Sequence, residues 1–557
     1  MPKEYEGDYY IPDGISTICG GAFSYCRGLT SITIPKSMIN IDNGTFSGCE
    51  NLKHINVVSD NKVYDSRDNC NAIIKTETNE LIAACPATTI PTSVTSIGSL
   101  AFDHCIGLTN IEIPSSVTSI GGQAFQGCPD LISLVIPNSV TTIGGWLCWE
   151  CSNLKSITYP DEVTQIEEQN FSGCRSLSSL VLPEGLKSIG QENGEAWFYG
   201  CDRLVSITIP KSVTSIRKGY FRGVPLETII VKEGNPVFDS REGCNAIIET
   251  SSNTLLVGCK KTFIPQSVSS IDSEAFAFCN IETINVMEGN LVYDSRDNCH
   301  AVIETATNKL VIGSSKTIIP VSVTSIGANA FYGNKELKEI TIPENVSSIG
   351  TYAFYETGIK SLVIPKGVYK IEKSAFSGCH DLESIVLSGN VSIDDYAFYA
   401  SANSNLLVIN SYIKSPSKIF TSVFPREAYS KAQLLVPKGT RDVYSSTEGW
   451  KLFENIVEKT EELDEGDNIY AETPEGIKML FQITDAFKKT VSVGSRSYFK
   501  AIDAKTKGQV TIPEVIDAGY TVTAIDDNAF KDCSLISSLS MPNTIESIGK
   551  SAFDGCI

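Results

Sequence analysis

The residues able to do chemistry are few and scattered. Cys148-Trp149-Glu150-Cys151 is the one Cys-x-x-Cys of the chain, a spacing that serves a thiol redox pair or half of a zinc site. No second pair and no coupled histidines accompany it. Cys148 also stands where Phe125 and Phe171 stand in the neighbouring segments, so core packing is expected of both thiols. His54, His104, His300 and His380 lie far apart without metal-like or triad-like neighbours, and no catalytic, cofactor or metal residues are assigned from them. Asp65 to Asn69 and Asp294 to Asn298 gather oxygens that suit calcium. They lack EF-hand spacing and read as solvated turns, where Asp and Asn satisfy nearby backbone groups.

What remains is a set of aromatic residues. Trp149, Tyr199, Tyr332, Tyr355 and Tyr399 directly follow a position that is usually Phe, where Ser47 and Ser377 stand in other segments, and Trp146 replaces Gln123. Aromatic side chains on a rigid frame stack on sugar rings or anchor a protein partner. These six are the candidate partner-binding residues, with Trp146 and Trp149 the most concentrated pair.

The frame is a repeat. Pro91, Pro114, Pro137, Pro160 and Pro183 are each 23 residues apart, a period that means one short unit stacked on copies of itself. In Leu29 to Pro35 the apolar Ile32 and Ile34 alternate with Ser31 and Thr33, the signature of a strand with one buried face. Stacked strands make a parallel sheet, which the proline leaves at the strand end without breaking a needed hydrogen bond. Val94 to Gly98 forms a second short strand, and Ala101 to Cys105 a tight helical turn with Phe102 and Cys105 inward. The expected fold is a right-handed β-rich solenoid with a parallel sheet and short helical turns.

Eleven of the 18 cysteines share one repeat position, among them Cys26, Cys49, Cys128, Cys174, Cys379 and Cys556. Stacked in register they form an inward ladder of small, soft apolar groups, expected as reduced thiols, with a disulfide between neighbouring rungs sterically conceivable as the alternative. The outward strand positions are small and uniform: Ser133 and Val135, Ser156 and Thr158, Ser206 and Thr208, Ser361 and Val363. Such a face suits repetitive low-affinity contact, self-association or no contact.

The ruler slips where Pro35 to Pro91 spans 56 residues and where Pro210 to Pro265 and Pro265 to Pro320 each span 55. Val63 to Ile74, Val237 to Ile248 and Val292 to Ile303 resemble one another there and read as β-hairpins. The expected organisation is a solenoid over 1–457 with hairpin variants near 61–86, 235–260 and 290–314. Trp450 and Phe453 cap its C-terminal end. An acidic linker follows over 458–476, then a second array over 477–557 that stops in mid-repeat, as a fragment of something longer would. With 45 basic and 65 acidic residues the net charge is −20, which disfavours nucleic acid and anionic membranes as partners. No apolar run is long enough to span a membrane, and the first residues lack a secretory signal.

The pattern IPxSVTSIGxxAFxGCxxLxSIxIP, closely copied between Pro91 and Pro114 and between Pro320 and Pro343, resembles the BspA-like leucine-rich repeats over most of the chain. The resemblance implies an extracellular or cell-surface protein that adheres to matrix proteins, cells or other microbes. Its partners would be extracellular proteins or glycans. The family shares a scaffold without a fixed binding motif, so it supplies no ligand residues. The expected function is a non-enzymatic binding or adhesion module; the alternative is a structural spacer or self-associating scaffold that presents another domain.

Overall fold

The computed structural model describes residues 5–167, 169–190, 197–217, 219–400, 405–459, 467–485, 488–495 and 500–556. The chain divides into two compact units. The first holds residues 1–385, 391–407 and 419–429, and the second 386–390, 408–418 and 430–557.

In the first unit each residue pairs with its own equivalent one turn away. Ser133–Val135 runs parallel to Ser156–Thr158, with Ser133 opposite Ser156 and Leu134 opposite Ile157. On a second edge Ser119–Ile120 lies between Ser96–Ile97 and Thr142–Ile143, Ser on Ser or Thr and Ile on Ile. The third edge is the corner that carries the phenylalanines. The expected helical turns take the form of hydrogen-bonded corners there, Cys105 N–H donating to Phe102 O at 3.2 Å. A left-handed residue on each side, Leu100 (φ 60°) and His104 (φ 54°), keeps the corner from continuing as a helix. The corners bond to one another as strands do: Phe331 N–H donates to Ala353 O and Gly333 N–H to Tyr355 O, both at 2.7 Å. Three bonded edges per turn leave few backbone groups without a partner.

Register dictates the core. Phe102 stacks on Phe125 at 4.9 Å, Phe171 on Phe198 at 5.7 Å, and Phe331, Phe354, Phe376, Phe398 and Phe424 form a continuous column with spacings of 4.7 to 5.3 Å. The cysteines line up beside it, and here they do more than fill space. In most turns the thiol points to the carbonyl of the Phe position one turn earlier (Cys49 to Phe23 O, Cys128 to Phe102 O, Cys151 to Phe125 O and Cys379 to Phe354 O, all at 3.0 Å), whereas Cys105 and Cys279 approach Ala84 O and Gly258 O at 3.7 Å. The expectation of purely apolar packing is therefore corrected. In other turns the position holds Thr357, whose hydroxyl donates to Phe354 O of its own corner, Asn334, whose amide donates to Ile281 O, and the apolar Val224.

The long repeats are hairpins. Tyr64–Asp65, Ala72–Lys75 and Glu80–Ala84 are antiparallel, and the last runs parallel to Ser96–Ile97, which returns the chain to the regular ladder. Phe238–Asp239, Ile247–Glu249 and Thr254–Val257 repeat this, as do Tyr293–Asp294, Val302–Glu304 and Lys309–Ile312. Their shared Asp-Ser-Arg is a clamp. In each, Arg grips both oxygens of Asp (Arg241 Nε to Asp239 Oδ1 at 2.8 Å, Nη2 to Oδ2 at 2.6 Å), then reaches Asn253 at 2.8 Å and Ser267 of the next turn at 2.9 Å. Asp65 and Asp294 are held the same way by Arg67 and Arg296, so both carboxylate oxygens already have a cation.

In the second unit Val408–Ser411, Gln433–Val436 and Asn455–Glu458 form a parallel ladder. Against it Trp450 and Phe453 are buried with Tyr444, and Trp450 Nε1 donates to Ser417 O at 2.9 Å. Of the acidic stretch 458–476, residues 460–466 lie outside the described residues, and Asn468–Glu472 is a strand paired antiparallel with Lys478–Asp485. Of the stretch 477–557, residues 486–487, 496–499 and 557 lie outside them too. The rest resumes the ladder: Thr490–Val493 is parallel to Thr521–Ile525, Phe530 stacks on Phe553 at 5.4 Å, and Cys556 donates to Phe530 O.

Burial pushes the thiols of Cys49 and Cys201 up to about 12, so little thiolate exists at neutral pH. Cys19 is exposed, Cys556 is intermediate and the others are buried. Ellman's reagent should therefore titrate Cys19 rapidly in the native protein and all 18 thiols after unfolding. Cys19→Ser should remove the fast phase; a fast phase of several thiols in that variant would contradict the buried ladder.

Candidate functional site

The candidate aromatic residues sit on the corner edge of the first unit. Two positions of each corner matter here, the left-handed residue two before Phe and the residue one after it, and the aromatics that occupy them are exposed or half-buried. Trp146 (φ 55°) and Trp149 occupy these positions in one turn, joined by the bond from Trp149 N–H to Trp146 O at 3.2 Å. Trp146 is exposed and Trp149 half-buried. Tyr199 is 78% exposed and Tyr399 38%, whereas Tyr332 and Tyr355 are half-buried because they stack on each other at 4.9 Å.

Four partners belong with them that the sequence reading did not single out. Tyr352 meets Tyr355 edge to face at 5.5 Å, and Tyr396 meets Tyr399 at the same distance. The signal was present: Trp-Leu-Cys-Trp at 146–149 and Tyr-Ala-Phe-Tyr at 352–355 and 396–399 carry aromatics at both of these positions. Phe278 and Arg222 had no such signal. The guanidinium of Arg222 lies 4.4 Å from the ring centroid of Phe278 and 4.8 Å from that of Tyr332, and it bonds to the Tyr332 hydroxyl. The intervening hairpins bring these residues together, with Phe278 N–H donating to Tyr332 O at 3.0 Å. Burial raises the Tyr332 phenol, partly offset by Arg222, and burial beside Glu356 pushes Tyr355 up to about 12.

One pairing recurs along this edge. In most turns the residue two after Phe is left-handed and is either a large side chain or glycine; a large one lies over the glycine of the next turn, while Gly173, Gly200 and Gly223 follow one another directly. A Cβ on Gly333 would stand 2.5 Å from Phe278, and one on Gly378 would stand 2.7 Å from Glu356, so both glycines are required by contact as well as by φ.

The other chemistry-bearing residues stay apart. His54 and His380 are exposed on separate turns. His104 Nδ1 lies 2.9 Å from Oδ1 of the buried Asp103, off the line of a hydrogen bond, and that carboxylate raises the imidazole pKa. Cys148 and Cys151 are fully buried. Cys148 interrupts the phenylalanine column, and the same turn carries Tyr159 where Ile136 and Leu182 stand in its neighbours. The Tyr159 ring packs edge-on to Phe171 at 5.9 Å, and its buried hydroxyl has no hydrogen-bond partner among the described residues. A large residue thus entered from the strand side where the corner lost one.

This architecture is that of a leucine-rich-repeat solenoid with an aromatic corner edge. The description "BspA type Leucine rich repeat region (6 copies)" matches residues 8–82, 83–193, 193–299, 312–425 and 509–557. The chain belongs to the BspA-type leucine-rich-repeat family. Among solved structures it is similar to a leucine-rich cell surface protein from Faecalibacterium prausnitzii, at 22% identity over 73% of this chain and 88% of that one, TM-score 0.34. It is also similar to the pneumococcal vaccine antigen PcpA, at 19% identity over 82% and 90%, TM-score 0.31. A search of curated proteins finds no match. Among the described residues no helix is long and apolar enough to cross a membrane.

The swap at Cys148 and Tyr159 gives a direct test of packing. Cys148→Phe alone should destabilise by about 1–3 kcal/mol through overpacking, and Tyr159→Ile alone by about 2 kcal/mol through a cavity. Together they should restore at least wild-type stability in urea unfolding. Strictly additive losses would show that the two sites do not share the space.

Proposed function

We propose that the chain is a non-enzymatic binding or adhesion module, secreted or displayed at the cell surface, that engages extracellular proteins or glycans through the aromatic corner edge of its first unit. The observation that carries this reading is the concentration of exposed aromatics on that edge. Tyr199 at 78% exposure, together with Trp146, Tyr396 and Tyr399, stands on a frame otherwise furnished with Ser, Thr and Val. Aromatic and Arg side chains on a rigid support lose little entropy on binding and dominate interface energetics. Membership of a family of repeat scaffolds supports the same reading. Within the cluster the geometry leans toward proteins. Both faces of the Tyr332 ring are covered, by Tyr355 and by Arg222, so this ring offers its edge and hydroxyl rather than a platform for a sugar.

The test is binding of the intact chain to a panel of matrix proteins, mucins and glycans, beside the double variants Trp146→Ala/Trp149→Ala and Tyr199→Ala/Tyr399→Ala. Saturable binding to at least one panel member is expected, weakened about tenfold or more by one of the pairs. Binding indifferent to both pairs would move the site off this edge. Absence of binding would favour the spacer or self-associating scaffold, which the uniform outward strand face also suits.

A further inference from the structure

The turn containing Ser374 and Ser377 interrupts the aromatic columns in a way that builds a slot. The turns on either side carry tyrosine at both of those corner positions, Tyr352 with Tyr355 and Tyr396 with Tyr399. Each pair meets at 5.5 Å, with interplanar angles of 81° and 85°. The Tyr355 ring is parallel to the Tyr332 ring one turn earlier, within 18°, so its plane stands across the direction in which the turns stack. Tyr399, edge to face with Tyr396, forms the opposite wall. Beneath them Phe354, Phe376 and Phe398 step at 4.9 and 5.2 Å, so the walls are two steps apart, roughly 10 Å. One flat group in contact with both walls would need about 7 Å, so across this gap a single group stacks on one wall. The floor is the two serines; Ser374 is buried, and Ser377 Oγ donates to Tyr399 O at 3.0 Å.

Two observations say which flat group suits it. The same edge already holds a guanidinium against aromatic rings, that of Arg222 over Phe278 and Tyr332. The slot also has a carboxylate beside it. Glu356 follows Tyr355, its N–H donates to Ser377 O at 2.9 Å, and its side chain lies over Gly378 of the slot turn. Lys335 approaches that carboxylate only to 3.7 Å, and Glu356 keeps 28% of its side-chain surface exposed. The net charge of −20 adds a long-range preference for a cationic partner. A sugar would find two small hydroxyls for its hydrogen bonds, one of them already directed at Tyr399 O.

We propose that the Tyr–Ser–Tyr slot takes an arginine side chain of a partner protein, its guanidinium stacked on the Tyr355 wall and paired with Glu356. This rests on the binding reading above and deepens it. It places one anchor point and predicts that effective partners display arginine on a protruding segment.

The test uses the intact chain and the peptide acetyl-Gly-Arg-Gly-amide, followed by NMR or tyrosine fluorescence. Comparison probes are the citrulline peptide, which has the same shape without charge, the tyrosine peptide, and a chitin tetrasaccharide. The arginine peptide should bind saturably and about fivefold or more tighter than the citrulline peptide. Glu356→Gln should abolish most of that preference and flatten its salt dependence. Ser377→Trp should fill the slot and cost about tenfold or more; aromatics occupy the equivalent position in both neighbouring turns, so this variant is expected to fold, as a melting curve will check. Equal binding of arginine and citrulline, preference for the tyrosine peptide or the saccharide, indifference to Ser377→Trp, or no saturation by about 20 mM would each overturn the proposal. Ser377→Trp is also run against the extracellular panel. Panel binding that survives while the arginine peptide fails would sink the slot and leave the binding module standing.

Discussion

Every residue in the ladder of the first unit lies about one strand spacing from a copy of its own position, and that constraint shapes the rest. A side chain at a repeat position must tolerate itself as a neighbour on both sides. Phenylalanine meets the requirement by stacking face to face, as Phe354, Phe376 and Phe398 do. Isoleucine and valine meet it by pairing in register on the strand edges. A hydrogen-bond donor meets it by reaching to the previous turn's carbonyl, as Cys379 does to Phe354 O, while Thr357 bonds within its own corner and Asn334 to Ile281 O. Because the carbonyl of Phe102 also accepts from the N–H of Cys105 in its own corner, the bond from Cys128 uses its second lone pair and disturbs no ladder bond.

The same constraint acts at the corner. A large left-handed side chain cannot stack on another of its kind, so it lies over glycine, as Phe278 does over Gly333 and Glu356 over Gly378. The positions flanking Phe are freer where solvent lies on one side of them. They are where the chain varies, and the aromatic clusters arise there without cost to the frame. Variation on a fixed ladder makes this a scaffold whose edge is free to change while its column carries stability.

Much of this was legible in the sequence. Proline spacing revealed the turn, alternation in Leu-x-Ser-Ile-x-Ile revealed the strand, and slips of the ruler located the three hairpins to within a few residues. The inward direction of the cysteines was readable from position, but their bonding was not, because it joins atoms 26 residues apart through a carbonyl that no side chain marks. The Arg–Asp clamp was visible as a recurring Asp-Ser-Arg and was read as solvated, since nothing local says that Arg folds back onto its own Asp. Of the candidate site, Trp146, Trp149 and the four tyrosines that follow Phe are accessible from their offsets, as are Tyr352 and Tyr396, which stand two residues before it. Arg222 was out of reach. It meets Tyr332 across 110 residues of chain, through two hairpins whose contribution to the stacking count must be known first.

The hairpin clamp also has a consequence for how such a chain changes length. Each hairpin holds its Asp and Arg within itself, docks backward through an Asn onto carbonyls of the preceding turn (Asn235 onto Pro210 O and Val213 O, Asn290 onto Pro265 O and Val268 O), and reaches forward to one Ser of the next turn. Hairpins two and three dock in series because the turn that follows one supplies the carbonyls that the next requires. A gene segment cut at matching points in two hairpins and rejoined would encode a chain whose every clamp still finds its partners. Unequal recombination at these places can therefore lengthen or shorten the array by a whole hairpin turn in a single event, shifting the spacing of the aromatic edge without a new interface having to evolve.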